Sequence, residues 1–168
     1  MAWLLAPLAL LIERVAGYPP ALFKAISHPV TRLGALISWL EGRLNQGGNR
    51  RFKGVALLVL LLATGLAVSL LVIAVTRRVP FGWGLEAVLA SSLLAQKELG
   101  RAVKAVADKL GLSLASGREA VSHIVGRDPQ VLDESGVAKA AIESLAESTS
   151  DGVVAPLFWL LLGGLPGI

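Results

Sequence analysis

The sequence predicts an all-α, polytopic integral membrane protein with about four membrane segments, carrying amphipathic and polar helices on the cytoplasmic side. Three observations lead there. Hydrophobic residues make up 54% of the 168 positions, and they fall in blocks instead of the spaced stripes of a soluble core. Residues 54–76 run for 23 positions without a charge, about 34 Å as a helix at 1.5 Å per residue, which is enough to cross a bilayer. The basic residues flank these blocks: 13 of the 16 Lys and Arg lie in segments 24–53 and 97–139, a bias that marks cytoplasmic loops.

Residues 2–17 form a weak first span, since Glu13 and Arg14 follow the apolar run closely and Gly17-Tyr18-Pro19-Pro20 ends any helix. No basic stretch or small-residue cleavage site precedes or closes that run, so it is expected to be retained. Segment 21–53 is cytoplasmic and amphipathic: Leu33, Leu36, Ile37 and Leu40 recur at helical spacing, with Pro29 near the helix start. Asn45 to Lys53 reads as a loop from its glycines and charges. Residues 54–76 are the clear span, closed by Arg77-Arg78 in a tight outer turn. Segment 80–96 is a short third span; its Glu86 needs a partner or water at that depth. Residues 97–152 form a cytoplasmic helical segment. Within it a charged helix stops at Gly111, Ser116-x-x-Glu119 offers a capping box for a short helix through Val125, Pro129 breaks the chain, and Asp133 or Ser135 caps a last polar helix. Residues 153–168 begin a further span, and the N-terminus falls outside.

Several chemistries are excluded. With no cysteine there are no disulfides, thiolate metal sites or Cys nucleophile. The net charge of +4 does not indicate nucleic acid, because the cations lack interleaved aromatics. P-loop, nucleophile-elbow and H-E-x-x-H patterns are missing.

The polar stretch 116–156 concentrates what reactive residues there are. Glu143 and Glu147 are one helical turn apart, and Asp151 follows where Ser150 and Gly152 loosen the backbone. Three neighbouring carboxylates repel unless a cation sits among them, and hard oxygen ligands suit Mg²⁺; an ordinary solvated helix face has the same spacing. Gly126-Arg127-Asp128 reads either as a glycine-permitted turn presenting an Arg fork to a carboxylate or phosphate, or as a simple turn with a local ion pair. His123, between Glu119 and Arg127 at one-turn spacings, is either a general base or a hydrogen-bonded surface histidine. His28, before Pro29, is a junction residue.

Taken in order, Ile26-Ser27-His28-Pro29-Val30, Gly34, Leu40-Glu41, Ile124-Val125-Gly126-Arg127-Asp128, Glu143-x-x-Ala146-Glu147 and Asp151-Gly152-Val153-Val154-Ala155-Pro156-Leu157-Phe158 resemble the CobD/CbiB family of cobalamin biosynthesis, over nearly the whole chain. The resemblance implies an adenosylcobinamide(-phosphate) synthase, a plasma-membrane amide ligase that joins adenosylcobyric acid to aminopropanol or its phosphate with ATP and Mg²⁺. It implies Glu143, Glu147 and Asp151 as catalytic and metal-binding residues, and His28, Arg32, Arg127 and Asp128 as substrate-binding residues. The chain departs from the family at Leu33, Pro129 and Ser148, where an aromatic, Thr and Asn are usual. Family members continue past the Gly-Gly-x-Pro-Gly at 163–167, so the chain is expected to be the N-terminal part of that length. It would then be a fragment, a shortened frame or one part of a split enzyme, with a separate C-terminal half or other corrinoid-pathway membrane proteins as partners. A non-catalytic membrane scaffold is the alternative, and a small transporter subunit using Glu86 is a third.

Overall fold

The computed structural model describes residues 4–18, 29–126 and 128–168. Every regular element among them is helical: α1 (Leu5–Ala16), α2 (Pro29–Leu44), α3 (Arg50–Thr76), α4 (Gly82–Ser91), α5 (Gln96–Leu110), α6 (Leu114–Ser122), α7 (Glu134–Thr149), a π-helical turn (Ser150–Val154) and α8 (Ala155–Gly163).

Two helices are long and apolar enough to cross a bilayer. One is α3, whose 27 residues give about 40 Å of rise against a hydrocarbon layer of about 30 Å. None of its apolar window is buried against protein, and Leu58, Leu62 and Leu71 are exposed. It begins at Arg50, so the expected loop is shorter than 45–53; Asn49 turns the chain in a left-handed conformation (φ 61°) that asparagine tolerates. The other is the continuous helix Glu134–Gly163, in which the polar α7 and apolar α8 are joined without a break.

The remaining apolar segments are shorter. With 12 residues in α1 and 10 in α4, their rises are about 18 and 15 Å. They pack on each other, and α1 also packs on α8, around Leu5, Ala6, Ala9, Ala87, Ala90, Leu94 and Leu160. Four of those seven are alanines, and small side chains let helix backbones approach where no water is present to drive burial. Between α3 and α4 the chain reverses so tightly that a Cβ on Gly82 would lie 1.9 Å from the Thr76 carbonyl oxygen. Glu86 finds its partner across this corner: the buried Thr76 hydroxyl lies 2.5 Å from its Oε1.

A second core joins α5, α6 and α7 through Val106, Val121, Val137, Ala140 and Ala141. The cap of α6 is Ser113, whose hydroxyl accepts the Ser116 N–H at 3.1 Å, so the helix starts one turn before the expected Ser116 box and ends at Ser122 instead of Val125. Ser116 carries the capped N–H there. Asp133 caps α7 as expected, accepting from Gly136 N–H at 2.7 Å. By contrast α2 leaves Leu33, Leu36 and Trp39 exposed, the pattern of a helix whose apolar face is not covered by protein.

Two long-range contacts tie the cores together. Glu13 is 3% exposed, and its carboxylate accepts the Lys97 N–H at 2.9 and 3.2 Å. Ala95 gives α5 no side-chain cap, so a residue 84 positions away supplies one, with the sign the helix dipole favours. In return the Lys97 ammonium donates to the Val15 carbonyl at the C-terminal end of α1, where Gly17 turns the chain with φ 63°.

The second contact follows from Pro156. Lacking an N–H, proline cannot bond the carbonyl four residues back, which is Gly152. The helix widens there, with Ala155 N–H reaching back five residues to Ser150 O, and the Gly152 carbonyl accepts the Ala95 N–H at 3.1 Å. Loosening at Ser150 to Gly152 therefore takes the form of a π turn inside one helix.

Candidate functional site

The polar unit α5–α7 presents the reactive side chains, and α7 carries the carboxylates. Glu143 and Glu147 are exposed one turn apart, and Asp151 is exposed on the π turn. Lys139 stands 3.8 Å from the Glu143 carboxylate, an i,i+4 pair. Glu147 and Asp151 have no ion pair or hydrogen bond among the described residues.

Helical rise puts Glu143 and Asp151 about 12 Å apart along the axis, and no group of three His, Asp or Glu among the described residues is placed to hold a metal ion. The three carboxylates therefore form a strip and not a cage. A strip still suits Mg²⁺, which commonly takes one or two carboxylates together with substrate phosphates. Glu143 and Glu147 would be the pair, and the exposed faces of both leave room for a phosphate.

Asp128 forms no hydrogen bond or ion pair with that strip among the described residues; it accepts the Gln130 N–H at 2.9 Å, closing a side-chain-to-backbone turn across Pro129. Gly126 has open space at its Cβ position and no left-handed φ, so position 126 does not require glycine. Arg127 and His28 lie outside the described residues. Arg32 is exposed on α2, which packs on α3, and it lines neither of the grooves described next.

Those grooves flank His123, at the C-terminal end of α6. One, of about 270 Å³, runs between α5 and α6 and is lined by Lys109, Ser116, Glu119 and His123 over a floor of alanines. The other, of about 290 Å³, runs between α5 and α7 and includes Ser144 and Ser148. Ala102, His123 and Ile124 line both, so the histidine divides one continuous cleft. Ser144 donates its hydroxyl to the Ile124 carbonyl, which holds the α6 end against α7, and Arg118 Nε donates to the Leu132 carbonyl at 2.7 Å, which holds the α6–α7 loop against α6. The ring of His123 is exposed and has no hydrogen-bond partner among the described residues, unlike the bonded surface histidine that its flanking charges suggested.

Lys109 and Ser144 were not marked by the sequence, and Ser148 was marked only as a departure from the family pattern. The spacing of Glu119 and His123 was the available signal, since i and i+4 share a helix face; which side chains of α5 and α7 come to that face is set by packing.

A protein-family model described as CobD/Cbib protein matches residues 6–168. The chain is 47% identical over 167 residues to a protein named cobalamin biosynthesis protein CobD in Brucella suis biovar 1 (strain 1330), covering 96% of this chain and 51% of that protein. It is 46% identical to the similarly named protein of Sinorhizobium sp over 171 residues, 98% of this chain and 53% of the relative. A protein of that name in Rhodobacter capsulatus is 46% identical over 162 residues, 94% and 51% respectively. The chain thus spans about half the length of the curated relatives it matches. No solved structure matches it.

Proposed function

The chain belongs to the CobD/Cbib family, and from that premise we propose that it acts in cobalamin biosynthesis as part of a multi-pass enzyme of the plasma membrane. In this reading the reaction is ATP-dependent amide ligation of adenosylcobyric acid with aminopropanol or aminopropanol phosphate. What carries it is about 46% identity running over nearly the whole chain to proteins named for that biosynthesis.

A carboxylate is a poor acyl donor until its oxygen becomes a good leaving group. The propionate oxygen attacks the terminal phosphorus of ATP, ADP departs, and the acyl phosphate formed is attacked by the amine with loss of phosphate. Within this scheme Glu143 and Glu147 hold the cation, Asp151 extends the acidic strip, and Arg127 receives a phosphate or carboxylate in its planar fork. Mg²⁺, when bound, supplies charge neutralisation for the transferring phosphoryl group. His28, Arg32 and Asp128 are assigned to the corrinoid or amino-alcohol substrate. The basic bias of segments 24–53 and 97–139 supports a cytoplasmic side for the cleft.

A scaffold without chemistry of its own is the second reading, favoured by the Lys139–Glu143 pair and by the absence of a three-ligand cluster among the described residues. Complementation separates the two. A strain lacking the synthase receives the chain alone, or the chain with the rest of a relative's length in trans, and cobalamin-dependent growth is scored. Restored growth that is lost with Glu147→Gln supports the ligase; restored growth indifferent to that change removes Glu147 from the site, and no growth in either arm favours the scaffold.

A further inference from the structure

We propose that His123 is a substrate-contacting residue whose groove seats a small amine with an anionic tail, the tail against Lys109 and the nitrogen against Glu119 and His123. This rests on the ligase reading and assigns one of its substrates to residues that the family motifs leave out.

The cations of α5 show why Lys109 is distinct. Lys97 is held by the Val15 carbonyl, Arg101 stands 3.4 Å from Glu98, and Lys104 stands 2.7 Å from Asp108. Lys109 has no partner among the described residues and lines the groove together with Glu119, which also has none for its carboxylate. An acid and a base that share a groove without pairing offer opposite charges to a ligand carrying both. Size points the same way. At about 270 Å³ the groove is just below the roughly 300–1,000 Å³ of pockets for drug-sized ligands, which suits a small amine and not a nucleotide or a corrinoid. Glu119 also disfavours a polyphosphate at this position.

His123 stands where the groove continues toward Ser144 and Ser148, the residues next in sequence to Glu143 and Glu147. The acidic strip, where the acyl phosphate is proposed to form, lies about 100° around α7 from those serines, so an amine seated at His123 lies beside it. The ammonium gives one proton to a ring nitrogen of His123; its lone pair then forms the C–N bond, the C–O bond to phosphate breaks, and the leaving phosphate carries off a second proton. The charged groups lining the cleft beside the histidine are Lys109 from α5 and Glu119 from α6, while α7 contributes the uncharged Ser144, Leu145 and Ser148.

The chain has two histidines, so ring-labelled protein in detergent gives two imidazole signals, and His123→Gln assigns them. Aminopropanol phosphate should shift the His123 signal saturably, Lys109→Gln should weaken that binding about tenfold or more, and Lys109→Arg should retain it. An equal response to inorganic phosphate would make this an anion site only and overturn the amine assignment, as would a His123 signal that neither aminopropanol nor its phosphate moves. In the synthase reconstituted with the remaining length, His123→Gln should lower kcat and flatten its pH dependence, while Lys109→Gln should act mainly on the KM for the amine. An unchanged pH profile overturns the proton-accepting role. Failure of complementation by the unmodified protein with amine binding intact would sink the ligase reading and leave the groove standing.

Discussion

Replacing Glu13 tests whether α1 is held to the polar unit by a single carboxylate. The Glu13 side chain is almost wholly buried and holds the Lys97 N–H through both oxygens, at 2.9 and 3.2 Å. A hydrogen bond to a charged group contributes about 1.5–3 kcal/mol, and the favourable sign at the α5 N-terminus adds about 0.3–1 kcal/mol. Glu13→Ala removes both and strands a backbone donor, so the α1–α5 junction should weaken by about 2–4 kcal/mol. Glu13→Gln keeps an oxygen acceptor and loses the charge, for about half that cost. Amide exchange across 96–110 reads this directly: a junction opening made easier by about 2 kcal/mol speeds exchange about 30-fold at the first turn of α5. Lys97→Met, which removes only the exposed bond to Val15 O, should cost about 1 kcal/mol. The order Ala, then Gln, then Met, is the expected ranking of exposure. Exchange unchanged within about threefold for Glu13→Ala, in protein that still folds, would refute the capping role and leave the carboxylate as a buried charge without the assigned work.

Three further outcomes are expected. Single cysteines at Gln46 and Gln130 should both resist an impermeant thiol reagent on intact cells and both label after permeabilisation; labelling of just one in intact cells contradicts the cytoplasmic placement of both loops. Gly82→Ala puts a Cβ 1.9 Å from a backbone oxygen that cannot swing aside, so it should destabilise by about 1–3 kcal/mol or reduce insertion, whereas Gly84→Ala, with nothing within 4 Å, should be tolerated; thermal aggregation of the detergent-extracted protein compares them. Ser113→Ala should cost about 1 kcal/mol as the loss of a helix cap, and Ser116→Ala much less, a contrast that a capping box at Ser116 would reverse in the same melt.

Much of the helical layout was legible in the residues alone. The uncharged run 54–76, the stops at Gly17 and Gly111 and the cap at Asp133 are local signals, because a helix's length, breaks and capping depend on neighbours within a turn or two. The spacing of Glu143 and Glu147 was equally local. Long-range matters were not legible. Glu13 looked like the residue that spoils an apolar run, and only the meeting of α1 with α5 turns it into a cap for a helix 84 positions on. Ser150 and Gly152 suggested a loosened backbone, yet the outcome, a π turn before Pro156 whose freed carbonyl is taken by Ala95, depended on another segment arriving with an N–H to offer. The carboxylates could be grouped by spacing, but helical rise and the π turn spread them along a strip. The cleft at His123 exists because three helices bury Val106, Val121 and Val137 together, and that burial brings Lys109 and Ser144 to the histidine. A periodic pattern states which face of a helix is apolar; which other face meets it is decided only by packing.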